Sequence, residues 1–127
     1  MSTRNIAPDH WRDELDSFTR QHEGWLVSIT TRGPDGRTAV EARNMPLQGV
    51  SPAAPDSNDI AIVVGDRENH LTHEVHNPSA LRIELTDDRA ARALLIDSKD
   101  GGTTIVEFRS TMRPEDVDGL PFPASTA

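Results

Sequence analysis

At Gly24 the spacing of the apolar residues switches from that of a helix to that of a strand, and few small folds accommodate such a handover. On the N-terminal side Trp11, Leu15, Phe18 and His22 recur at spacings of four, three and four, which places them on one helical face. Pro8 stands in the first turn, where its missing N–H costs nothing, and Asp9, Asp13 and Glu14 suit the positive end of the helix dipole. Gly24 ends the pattern as a residue able to take the left-handed conformation. Beyond it Trp25, Val27 and Ile29 alternate with Leu26, Ser28 and Thr30, a strand that carries a large aromatic anchor. Burying Trp11, Leu15 and Phe18 against a sheet contributes about 1.5–3 kcal/mol each before entropy is subtracted. The helix is therefore expected as a lid on the core.

The rest of the chain reads as strands and turns. Residues 1–7 lack periodicity and predict a flexible leader. Gly33-Pro34 and Asp35-Gly36 predict a hairpin into a second strand, Thr38 to Arg43. Asn44 to Asp59 holds three prolines and clustered Ser, Asn and Asp, and predicts a long loop. Met45, Leu47 and Val50 are its apolar anchors, and Ser51 to Asn58 is expected to be mobile. Asp59 to Asp66 is apolar on both faces, the mark of an interior strand. Further strands are predicted at Leu71 to Pro78, Ala80 to Thr86, Ala90 to Ser98 and Thr103 to Ser110, the last two joined by the hairpin signal Lys99-Asp100-Gly101-Gly102. Residues 112–127 are rich in Pro and acids and predict a disordered tail, with Leu120 and Phe122 as docking anchors. The expected architecture is a single α+β domain over residues 8–111. In it the N-terminal amphipathic helix packs on a curved antiparallel sheet or small β-barrel of six to seven strands.

Composition narrows the functions. A formal charge of −8, with no run of three basic residues anywhere, argues against nucleic acid and anionic membrane surfaces as partners. Without cysteine there are no disulfides, thiolate metal sites or cysteine nucleophiles. The N-terminus lacks the apolar segment of a secretory signal, and no apolar run approaches the roughly 18 residues that span a bilayer. The expected location is the cytoplasm. Twelve of the 13 basic residues are Arg, a bias that points to a GC-rich bacterial genome. Two Trp, three Phe and no Tyr leave little for a base-stacking platform.

No motif assigns a reaction: GxSxG, Walker A and GxGxxG are all missing. Histidines draw the eye first, with three imidazoles and a carboxylate in His70 to His76. Zinc, nickel or iron would accept such ligands, but the segment falls one residue short of HExxH and alternates like a strand. A strand separates His70 from His76 by roughly 20 Å, which leaves only Glu74 and His76 as a metal pair and turns His73 toward the core, where a hydrogen bond would hold it. Arg20, His22 and His73 are the candidate ligand-binding residues, an arginine for an anion and imidazoles for proton transfer. The plainer reading makes Arg20 a solvated charge and His22 a packed helix end. No metal and no cofactor is expected.

Trp11, the run Phe18-x-Arg20-x-His22-x-Gly24-Trp25, Met45-Pro46-Leu47-x-Gly49-Val50 and Leu71-Thr72-His73 together resemble a family of small bacterial proteins known only as a domain of unknown function. Leu15 and Thr19 stand where that pattern has Phe and Ser. The resemblance implies a shared fold and carries over no catalytic residue. Two functions follow as expectations: a non-enzymatic binding or protein-interaction module, with a protein partner or homodimer, and alternatively a small-molecule or metal-dependent enzyme using a cleft between helix and sheet.

Overall fold

A computed structural model describes residues 2–54, 58–66 and 68–109, and the expected tail at 112–127 lies outside them. Strand β1 (Ser2–Ile6) leads through a 3-10 turn at Pro8–His10 into helix α1 (Trp11–His22). Seven strands follow: β2 (Leu26–Arg32), β3 (Thr38–Pro52), β4 (Ile60–Gly65), β5 (His70–Val75), β6 (Pro78–Leu85), β7 (Ala91–Ser98) and β8 (Thr103–Phe108). All pair antiparallel in one sheet of order β1-β6-β7-β8-β2-β3-β4-β5. The class is α+β as expected, with eight strands among the described residues in place of six or seven. No helix among the described residues is long and apolar enough to cross a membrane.

The sheet is not a closed barrel, since β1 and β5 remain its edges, but the connectivity forces it to curl. In a flat sheet β5 and β6 would lie six strand spacings apart, roughly 29 Å. Only His76 and Asn77 join them, a link that reaches about 11 Å from Val75 to Pro78. The sheet must roll until its two ends approach. Inside the roll Val27, Ile29, Ile62, Val64, Leu94, Ile96 and Val106 are fully buried, and Leu15 and Phe18 of α1 join the same core cluster.

The helical stripe folds as its period predicts. Leu15, Phe18 and His22 are buried, and half-buried Trp11 donates its indole N–H to the Ile6 carbonyl at 2.9 Å. Gly24 takes φ 90° and donates its N–H to Leu47, which ties the helix end to β3. Thr19 fastens the middle of α1, because its hydroxyl donates to the Val50 carbonyl and accepts from the Val50 N–H.

Two segments differ from expectation. Residues 1–7, expected as a flexible leader, contain β1, whose register runs from Ser2 opposite Leu85 to Ile6 opposite Leu81. Only Ile6 is buried there, so an edge strand with one anchored residue leaves no periodicity to read. The predicted loop after Arg43 is instead the second half of β3, which continues to Pro52, while residues 55–57 lie outside the described set. A bulge around Asn44, at φ 51°, and another at Gln48 turn β3 from partner β2 to partner β4. The prolines fit this strand because Pro46 ends the ladder to β2 and Pro52 ends the ladder to β4, where a missing N–H is tolerated. Of the anchors named from sequence, Leu47 and Val50 are buried and Met45 is partly buried against the core.

Candidate functional site

The structure does not bring Arg20, His22 and His73 together. Arg20 lies on the solvent face of α1, paired with Asp16 at 2.6 Å. His73 sits on edge strand β5 opposite Ile62, half-buried, and is not the core histidine its position in the alternation predicted. A histidine near the sheet edge has protein on one side only, which is why the alternation overstated its burial.

His22 is the sealed one, 1% exposed. Its ring lies 4.6 Å from Phe18, 4.7 Å from Phe108 and 4.8 Å from Trp25, the last edge-on. Nδ1 is 2.9 Å from the Phe18 carbonyl, which can only accept, so Nδ1 carries the proton. Nε2 is buried and has no hydrogen-bond partner among the described residues. Burial pushes the His22 pKa down, and the bond to the Phe18 carbonyl opposes this less strongly. The ring is held neutral as one member of an aromatic cluster.

Among the described residues, hollows lie on both flanks of α1. On the side of β1, β6 and β7, a cleft of about 190 Å³ is lined by Arg4, Glu14, Ser17, Gln21 and Arg89, with Ile83, Leu85 and Ala91 as its apolar wall and Phe18 and His22 at the helix. Arg4 donates to both Glu14 oxygens, at 2.8 and 3.2 Å, and this pairing lowers the Glu14 pKa. Arg89 occupies the β6–β7 turn in the left-handed region, φ 65°, held by its N–H to the Thr86 carbonyl. No ion pair involves Arg89 among the described residues. On the other flank a wider groove, about 460 Å³, is lined by Arg12, Asp13, Asp16, Thr19 and residues 49–52, and its acids outnumber its base.

A third grouping lies on the outer face of the β4–β5 hairpin. Asp59, Glu74 and His76 hold their ligand-type atoms within 4.8 Å of one another. His76 Nδ1 is 2.8 Å from Asp59 Oδ2, and the Asn77 N–H donates to Asp59 Oδ1 at 3.0 Å. These hydrogen bonds hold the Asp59 carboxyl below its usual range, His76 first and Asn77 second. The same bond, with the Asp59 charge behind it, raises the His76 pKa. Glu74 and His76 are the pair singled out from sequence, and Asp59 is the member that reasoning missed. A signal for it existed, since folding the hairpin about the turn at Asp66 and Asn69 sets Asp59 opposite His76. Arg4 and Arg89 had no such signal, because they lie in a segment without period and in a turn.

None of the curated proteins matches the sequence. A family model does match, over residues 2–117, a span that includes every described residue. The chain belongs to DUF5335, a family of unknown function.

Proposed function

We propose that the protein is a non-enzymatic binding module that takes a small anionic molecule in the cleft between α1 and strands β1, β6 and β7. One observation carries the reading: in a chain of formal charge −8, this cleft gathers two guanidinium groups against one carboxylate. Around them are a hydroxyl, an amide and an apolar wall, the makeup of a small-ligand site with a few convergent polar groups. Arg4 is oriented by Glu14, and Arg89 remains available for a carboxylate or phosphate. Chemistry is less well served than binding. Glu14 is committed to Arg4 and His22 Nε2 is buried, so the described residues of the cleft hold no paired acid and base.

The reading includes a bacterial, cytoplasmic setting, motivated by the arginine-rich composition and the lack of cysteine. A protein partner or a second copy would pair at the open edges β1 or β5. The test is a titration of isotope-labelled full-length protein with inorganic phosphate, citrate and a nucleoside monophosphate, followed by amide resonances. Binding at this site moves the signals of Ser17, Gln21 and Arg89, and Arg89→Ala abolishes the movement. If those signals stay still with every anion, or move equally in the variant, the cleft is not the site.

A further inference from the structure

We propose that Asp59, Glu74 and His76 form a zinc-binding site on the outer face of the β4–β5 hairpin, separate from the cleft. The chain carries 21 acidic residues and five histidines, yet among the described residues this is the grouping that brings three potential ligand atoms within 4.8 Å. It is not an acidic patch alone, since one of its three donors is an imidazole nitrogen.

Strand geometry builds it. Glu74 and His76 are two residues apart and so project from the same face of one strand. Ile60 pairs with Val75, so Asp59 and His76 are the next positions across the hairpin. The donors therefore come from two neighbouring strands whose inner residues, Ile60, Ile62 and Val75, are locked in the core. Asp59 is also held from behind, because its Oδ1 accepts the Asn77 N–H while Oδ2 faces the imidazole. That is the supporting contact that orients a metal-binding carboxylate before the ion arrives.

The distances suit a small ion. Tetrahedral zinc, with bonds of about 2.0–2.1 Å, sets its ligand atoms roughly 3.3 Å apart. His76 Nδ1 and Asp59 Oδ2 start at 2.8 Å and need open only slightly as zinc replaces the shared proton. Glu74 is exposed and free to swing inward over the remaining distance. One nitrogen and two carboxylate oxygens leave the fourth position to water, and this donor set favours zinc over Mg2+ or Ca2+, which take six or more oxygens.

The experiment is isothermal titration of full-length, tag-free protein with zinc chloride, and in parallel with magnesium and calcium chloride, on the wild type, His76→Ala and Asp59→Asn. Circular dichroism of each variant checks that the fold is intact, as expected for changes on an outer face. The expected result is one zinc per chain, bound roughly tenfold or more weakly by each variant, with no saturable heat from the other two cations. Undiminished zinc binding in His76→Ala overturns the site. So does Mg2+ or Ca2+ binding as strong as that of zinc, which means attraction to negative charge only, and so does the absence of saturable zinc binding in the wild type.

Discussion

His22 and His76 carry the same side chain into opposite surroundings. His22 closes the end of α1 among Phe18, Trp25 and Phe108, with one nitrogen bonded to the backbone and the other without a partner among the described residues. His76 stands on the open face of a hairpin with a carboxylate against it. Burial lowers the pKa of the first, and the partner raises that of the second. Charge on an imidazole is therefore set here by what packs around it. The sealed end serves packing, whereas the open face keeps its donors accessible.

The largest effect is expected at the sealed end. Phe18→Ala removes a ring that touches both His22 and Phe108, and is expected to destabilise the protein by about 3–5 kcal/mol. Urea unfolding measures this as a lowered midpoint at unchanged slope. A loss below about 1 kcal/mol would mean that the aromatic cluster is not part of the core.

A pH series on unfolding sharpens the contrast, because the two histidines have opposite signs. His22 has a native pKa below its unfolded value of 6.5, so the unfolded chain takes up a proton first as pH falls. Stability is full above that value and declines below it, by up to about 1.4 kcal/mol per pH unit until the lowered native value is reached. His76 does the reverse: its contribution is present below the unfolded value and fades as pH rises through the raised native one. In chelated buffer, His22→Phe is expected to flatten the acid-side decline, and His76→Ala to leave that decline in place. If His22→Phe keeps the full slope, the ring is not held neutral in the fold.

The smallest effect is expected two residues from His22 on the other side of the helix. Arg20→Ala breaks an exposed pair one turn apart and is expected to cost about 0.3–0.5 kcal/mol, or less because alanine favours the helix. The same urea measurement distinguishes this from a buried role, which would cost several times more.

Much of the fold was legible from local chemistry. The stripe from Trp11 to His22, the glycine at its end, the Gly33–Gly36 turn and the Gly101-Gly102 hairpin each rest on residues close in sequence, and each forms where expected. The failures had a common cause. β1 is held by pairing with β6, some 80 residues away, and the second half of β3 by bulges that hand it from one partner to another. Prolines that read as loop signals are harmless where a ladder ends. Of the candidate residues, His22 is buried at the helix end and Arg20 stands exposed beside Asp16.

Near-neighbour chemistry was enough for the class of the fold, the face of the helix, the absence of thiol chemistry and the alternation of strands such as β2 and β6, because these depend on each residue and those beside it. Long-range packing put Arg4 and Arg89 along one cleft and rolled the sheet until β5 passes directly into β6, and the register of the β4–β5 hairpin brought Asp59 to His76. Those meetings depend on strand register and sheet curvature, which are fixed by hydrogen bonds and packing between segments far apart in the chain.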